Sequence, residues 1–556
     1  MAKKHLVGVL SHLIPGGISH IQYADDTVIM IDGSDKSILN LKLILYCFEW
    51  LSGLKINFHK SEVYVFGVDQ PEKEIMANML NCKLGVWPMR YLGIPLSEYR
   101  LGIAAFTGLK EKMSRRLDPW KGKHLSSGGK LILTNACLSS LPIYTMGFYL
   151  LPKGTHGGMD SVRGKFFWQG ARDDFKYHMA KWDTLSRPKD QGGMGIINTQ
   201  IMNECLLVKW IWKIAKGGNE TWLKLLEAKY MPDGNFFTSK SKGASQFWQG
   251  LHKVKHLFKW GALHKVGDGS LTAFWGDVWL GQVPLKTQFP DLFNCCEDPT
   301  VLVADCWDNG DWTVNFRRNF TPHEQERWND LIGLLQNINL DQEMRDDFTW
   351  ALDNSKAFTT KSLYRFVTHR GMCILTDRDV WSTKLPLKIK IFLWQLLHNK
   401  LQVAASLIKR GWKGDVRCCL CGGAESTGHV FFGCSIARFT WCCIRDALGW
   451  AGCPSSLSDA LGDHVWGGKI PIRLKFFIIA GVTWAIWRSR NRMAIEKLFP
   501  KNPLDVIRSG VAYVQKWQLL LGASDQASVA TLGEKMKTWF QNHSPSNGSS
   551  SDIVEL

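Results

Sequence analysis

The spacing of apolar residues changes period several times along the chain. Residues 18–31 alternate in strand fashion, break at two adjacent aspartates, and resume as the β-branched, apolar run TVIMI. That pattern predicts strand, turn, strand, with Asp25 and Asp26 at a hairpin tip. From Ser37 to Leu51 the apolar positions Leu41, Ile44, Leu45 and Phe48 take helical spacing, and Ser52-Gly53 supplies a stop. KINFHKSEVYVFG (55–67) returns to strand character, so the first segment reads as a small βαβ-like layer.

Beyond Thr107 the helical period dominates. Leu109, Met113 and Leu117 share one face, while Lys110, Lys112, Arg115 and Arg116 cover the others until Pro119 ends the run. Ser126 or Ser127 is placed to cap a following helix, KLILTNACLSSL. NTQIMNECLLVKWIWKIAK (198–216) is strongly amphipathic, and VGDGSLTAFWGDVWLG (266–281) reads as turns and short strands. LPLKIKIFLWQLLHNKLQVAASLIKRGWK (385–413) sets Ile391, Trp394, Leu397, Leu401 and Ala405 at helical spacing, bordered by cations and free of acids. LKFFIIAGVTWAIW (474–487) is too short to span a bilayer and reads as a buried helix. The last seventeen residues are polar and Ser-rich and read as disordered.

At 556 residues, 45% of them hydrophobic and 21% charged, the chain is expected to hold several packed domains. Its 26 tryptophans read as core filling, with stacking on bases as the alternative. Lys and Arg outnumber Asp and Glu by 68 to 50, and the net charge of +18 points to a polyanion, nucleic acid first among them. Residues 110–130 concentrate seven of these cations against two acids, either a solvated face or a stripe for phosphates. The N-terminus resembles no secretion signal. Fifteen cysteines without one imply buried thiols in a reducing compartment, nuclear or cytoplasmic, with no membrane anchor.

Two groups of residues carry chemistry. Asp25 and Asp26 are suited to Mg²⁺, a hard cation that takes one or two carboxylates along with substrate phosphates. RCCLCGGAESTGHVFFGC (417–434) has the spacing C-x2-C-x7-H-x4-C, so Cys418, Cys421, His429 and Cys434 can close a tetrahedral structural Zn²⁺ shell. Cys419 is an alternative to Cys418 at poorer spacing, and a cysteine-rich helix junction without metal, aided by Cys442 and Cys443, is the competing account. Lone histidines such as His59 and His178 read as structural.

GGISHIQYADDTVIM resembles the Tyr-x-Asp-Asp hairpin of reverse transcriptases, and its surroundings look like the LINE-type, non-LTR retrotransposon polymerases of plants. SGLKINFHKSEVYVFG resembles the next palm motif, MRYLGIPLS (89–97) the primer grip, and WKGKHLSSGGKLILTNACLSSLPIYTMGFYLLPKG the thumb. Residues 381–443 look like the zinc-binding domain of those polymerases.

The resemblance implies an α+β protein. Its segments are a partial palm (1–100), a helical thumb (101–155), a mixed connecting region (156–375), a small, mainly helical zinc-binding domain (376–450), a helical segment (451–525) and a mostly disordered tail (526–556). It further implies Asp25 and Asp26 as catalytic Mg²⁺ ligands, with Tyr23, Lys60, Tyr91, Leu92 and Gly93 at the nucleotide and primer. Arg115, Arg116, Lys121 and Lys123 would then contact the backbone of an RNA template or DNA primer. Family members also carry a third catalytic aspartate upstream on a palm strand. The 22 residues before Tyr23 leave no room for it, so the expectation is a truncated enzyme that is inactive alone, with a non-catalytic nucleic-acid-binding protein that retains thumb and zinc module as the alternative.

Overall fold

The computed structural model describes residues 8–120, 125–169, 177–308 and 310–543. Helices dominate, with five two-stranded sheets among the described residues, so the expected mixture of helix and sheet is present. Two compact units form, and they interleave along the sequence. One comprises residues 1–108, 142–156 and 199–367; the other comprises 109–141, 157–198 and 368–556.

In the first unit, strands His20–Tyr23 and Asp26–Ile29 pair antiparallel, closing on Tyr23 opposite Asp26. The two-residue turn Ala24-Asp25 holds Ala24 at φ 53°, in the left-handed region that tight hairpin turns require. Helix Asp35–Ser52 begins where the Ser34 hydroxyl accepts from the Ser37 N–H and ends at Gly53 with φ 71°. Its Ile38 and Leu41 pack with Leu80 and with Met76 and Met79 of helix Gln70–Met79. Only Glu62–Val63 of the expected strand 55–67 is extended in a ladder, and it pairs in parallel with Lys83–Leu84. The first hairpin and this pair are separate two-stranded sheets and do not join into one sheet.

The larger core of this unit lies between helices Thr199–Lys216 and Gln246–Phe258, against strands Ala262–Lys265 and Asp347–Trp350. Trp248, Phe258, Phe348 and Trp350 are fully buried there, so these aromatics fill core as expected. The VGDGSLT stretch is a loop wrapped around one buried carboxylate. Asp346 accepts from the N–H groups of Gly267 (2.7 Å), Gly269 (2.9 Å) and Leu271 (3.0 Å) and from the Thr272 hydroxyl (2.7 Å). A Cβ on Gly267 would lie 2.0 Å from the Met344 carbonyl oxygen, so only glycine admits this approach.

In the second unit, helix Ile472–Asn491 is buried through twelve residues, which accounts for its run of apolar positions. It packs on helix Leu504–Gln518, where Gly481 and Gly510 bring the two backbones together. Helix Ala523–His543 covers much of a stretch expected to be disordered. Val529 and Met536 are buried in the same core, and that apolar contact outweighs the polar composition on which the expectation rested. Residues 544–556 lie outside the described residues. The helical pattern of 385–413 is also interrupted: helix Leu387–Leu397 stops at His398-Asn399, with Asn399 at φ 52°, before the short helix Ala404–Ile408.

The Asp346 network generates a direct expectation. Asp346→Ala strands three buried N–H donors and a hydroxyl, and should lower stability by about 3 kcal/mol or more, against about 1 kcal/mol for Thr272→Ala, as read by urea unfolding.

Candidate metal centre

The local backbone explains how the four predicted ligands meet. Arg417 and Ala424 form an antiparallel bridge, and the Cys418 N–H donates to the Gly423 carbonyl at 2.6 Å while the Gly422 N–H donates to the Cys418 carbonyl at 2.8 Å. Gly422, at φ 76°, closes this knuckle and leaves Cys418 and Cys421 on one turn. The Ser426 hydroxyl then accepts from the His429 N–H (3.1 Å), and His429–Gly433 forms a wide helical turn whose 2.6 Å bond joins the Cys434 N–H to the His429 carbonyl. Such one-turn expansions of a helix recur at functional sites. Cys434 occupies the N-cap position of helix Ser435–Leu448, where the helix dipole favours a thiolate.

One donor atom from each of Cys418, Cys421, His429 and Cys434 lies within 4.8 Å of the others. In a tetrahedral Zn²⁺ site with Zn–S near 2.3 Å and Zn–N near 2.0 Å, ligand atoms are separated by roughly 3.4–3.8 Å, so the set fits that ion after slight contraction. Cys418 and Cys434 are buried, and Cys421 Sγ and His429 Nε2, 3.1 Å apart, reach the surface. The hydrogen bond between Cys418 and Cys434, with backbone N–H groups, holds Cys418 below the ordinary thiol range, and the same bond and burial push Cys434 above it against the pull of the helix dipole. A cation would relieve that sharing by accepting both sulfurs as thiolates.

The alternatives fall away on geometry. Cys419 Sγ lies 3.6 Å from the Arg490 carbonyl and outside the ligand group. Cys443 is buried in the core, and Cys442 lies beside Cys453 instead, with 3.5 Å between their sulfurs.

The knuckle is fixed to its surroundings by Glu425, which sequence reasoning missed, and by Phe431 and Phe432, whose apolar character suits them to a core beside the ligands. Glu425, directly after the turn, is buried, pairs with Arg490 at 2.5 Å, and accepts from the Ala404 N–H at 2.9 Å. Phe431 and Phe432 enter the main core of the unit, and the Trp441 indole N–H donates to the Phe431 carbonyl. Glu425 had no signal beyond being a lone acid in a Gly- and Ser-rich loop, because its partner lies 65 positions away.

The polymerase-like residues are placed less tightly. Tyr23, Asp25 and Asp26 are exposed at the first hairpin tip. Lys60 sits in an exposed turn after Asn57. Tyr91, Leu92 and Gly93 form the tip of a second hairpin, Met89–Tyr91 with Ile94–Leu96, in which Leu92 (φ 49°) and Gly93 (φ 80°) both adopt left-handed backbone. These two hairpins are separate sheets. Among the described residues, no third Asp, Glu, Cys or His gathers with Asp25 and Asp26. Arg115 and Arg116 are exposed, and the Arg116 guanidinium lies 5.9 Å from the Trp120 ring centre. Lys121 and Lys123 fall outside the described residues. No helix among the described residues is long and apolar enough to cross a membrane.

Comparison with known proteins bears on this arrangement. The family described as zinc-binding in reverse transcriptase matches residues 358–441, a span that holds all four ligands. A putative ribonuclease H protein of Arabidopsis thaliana is 26% identical over 441 residues, covering 76% of this chain and 68% of the relative. The chain is related to retrotransposon reverse transcriptases. An uncharacterized mitochondrial protein of the same plant is 27% identical over 143 residues, covering 25% of this chain and 93% of that relative.

Metal analysis of the purified chain should find about one Zn²⁺ per molecule, lost in the double variant Cys421→Ser, His429→Ala. A metal-free chain with full secondary structure and the same unfolding transition as the metal-loaded one would sink the assignment.

Proposed function

We propose that the chain is the portion of a LINE-type RNA-directed DNA polymerase that runs from the Tyr-x-Asp-Asp hairpin through a thumb to the zinc-binding domain. The observation that carries this reading is the closed Cys₃His set inside a segment that matches the reverse-transcriptase zinc-binding family. Cys418, Cys421, His429 and Cys434 act as structural ligands, since four protein donors leave Zn²⁺ no open position for hydrolysis. Arg115, Arg116 and the neighbouring lysines neutralise phosphates of template and primer. Tyr91, Leu92 and Gly93 hold the primer end, and Lys60 approaches the incoming nucleotide.

Asp25 and Asp26 fit one Mg²⁺ that is shared with substrate phosphates. Polymerase sites use two such ions, one at the attacking hydroxyl and one at the leaving pyrophosphate. Two adjacent carboxylates on one hairpin do not surround a pair of ions, and among the described residues no third carboxylate gathers with them. We therefore read this chain by itself as a nucleic-acid binder rather than a working polymerase; its net charge of +18 supports the nucleic-acid contact.

Binding to RNA or DNA should weaken by about two orders of magnitude or more between 50 and 200 mM salt. The double variant Arg115→Gln, Arg116→Gln should reduce the slope of log affinity against log salt by about two. Salt-insensitive binding would remove the reading. Primer extension with the chain alone should give no product; Mg²⁺-dependent extension that Asp25→Asn abolishes would restore full polymerase activity to it.

A further inference from the structure

Helix Lys153–Trp168 is rich in glycine, although each interior glycine costs a helix about 1 kcal/mol relative to alanine. Gly157, Asp160, Ser161, Gly164, Lys165 and Trp168 recur three or four residues apart, so they form one stripe along the helix. That stripe is one wall of an open cleft of about 580 Å³ in the second unit, within the range that accommodates a small organic ligand. A Cβ on Gly157 would meet no atom within 4 Å, and Gly157 has no left-handed backbone. Neither packing nor conformation demands glycine there, so its absent side chain leaves the helix backbone open to the cleft.

The other side of the cleft is aromatic and basic. The rings of Trp168 and His178 stack, with centroids 6.0 Å apart and planes 22° from parallel, and Tyr177 and Trp182 extend the lining. Beneath them Arg163 is fully buried. Its guanidinium donates to the Ser139 hydroxyl and the Ile197 carbonyl, lies 5.3 Å from the Trp182 ring centre, and pairs with Asp160. Asp160 keeps about a third of its side chain accessible (34%), so the cleft contains a carboxylate held in place from below. Arg410 lines the rim and is fixed by bonds to the carbonyls of His178, Met179 and Ser406, none of which neutralises its charge. Lys165 is exposed on the same stripe.

Flat rings, a fixed acceptor and two cations within one small cleft match the three parts of a nucleotide: a base face, a base edge with N–H donors, and a phosphate. We propose that this cleft binds one unpaired nucleotide of a single-stranded nucleic acid. The base lies along the Trp168 and His178 wall, its amino edge donates to Asp160, and its phosphate meets Lys165 and Arg410. An unpaired base is required because a duplex buries the faces that such a wall stacks on. The proposal rests on the nucleic-acid-binding reading above and adds to it a place and a strand preference.

The test uses the full chain loaded with zinc and three probes: a labelled single strand of twelve nucleotides, the matching duplex, and adenosine monophosphate. The Cβ that Gly157→Leu adds meets no atom within 4 Å, so the side chain starts into open space at the cleft wall, and the change raises helix propensity; the variant should fold with unchanged zinc content and an unchanged or higher unfolding temperature. Gly157→Leu and Trp168→Ala should each weaken single-strand binding by about tenfold, the order expected for loss of one stacked base, and leave duplex binding within about twofold. Single-strand binding unchanged in both variants overturns the cleft proposal while the broader reading stands. Failure of the unaltered chain to bind either polymer overturns the broader reading. Quenching of tryptophan fluorescence by adenosine monophosphate that is lost in Gly157→Leu supports the same chemistry with a free nucleotide as its source. Quenching by the strand alone assigns it to the polymer.

Discussion

Three sulfurs and an imidazole are confined within 4.8 Å of one another, and that confinement is the constraint around which the second unit is organised. Four such donors have no reason to converge on their own account. Without a cation, three thiolates at this distance would repel, so the sulfurs share protons instead, with Cys418 shifted down and Cys434 up by the hydrogen bond between them. The surrounding fold therefore holds the donors together against their own preference, and Zn²⁺ turns that opposition into attraction. Two devices do the holding. The knuckle is locked by backbone bonds through Gly422 and Gly423, where a Cβ on Gly423 would lie 3.0 Å from the His429 ring. The wide turn that carries His429 is locked by Phe431 and Phe432, which are buried in the main core.

Glu425 and Arg490 extend the same constraint outward. A buried pair of this kind gains little over an apolar isostere, because desolvation offsets much of the attraction. Its value here is positional. One carboxylate meets the guanidinium of Arg490, at the end of the buried helix Ile472–Asn491, and the N–H of Ala404, at the start of a short one, while its own backbone closes onto Val416. Metal ligands, core helix and the segment after Leu397 thereby share one register. Asp346 does the equivalent work in the first unit, where four donors from a glycine-rich loop converge on one carboxylate.

What the sequence disclosed follows the range of the interaction. The ligand spacing 418–434, the helix 472–491 and the cap at Ser126 are local patterns, and each appears where periodicity and residue type put it. Glu425 with Arg490 and Asp346 with its loop join residues 65 and more than 70 positions apart, and neither partner has a pattern that names the other. The helix Ala523–His543 was hidden for a related reason. Its polar composition reads as solvent-loving, and the residues that anchor it, the buried Val529 and Met536 foremost, matter only once a core exists to receive them. The break at His398-Asn399 reverses the case: a continuous helical period persists through a point where the backbone turns left-handed.

The two chemical features of the sequence end in different physical circumstances. Two of the zinc ligands, Cys418 and Cys434, are embedded in a core, and the knuckle and wide turn fix Cys421 and His429 beside them independently of any substrate. The Asp25-Asp26 hairpin has two strands of four residues, and its incoming strand is exposed throughout. Behind it, helix Asp35–Ser52 buries Ile38 and Leu41 yet leaves Leu39, Leu43, Tyr46 and Trp50, which also lie on one face, open to solvent. An isolated hairpin of this size is marginal in water, and an apolar helix face of this extent is ordinarily covered. Geometric precision in an active site comes from surrounding shells that lock each rotamer, and the hairpin has no such shell among the described residues. Preorganisation among the described residues therefore lies with the Cys₃His knuckle, while the hairpin carboxylates stand at an exposed tip without comparable support.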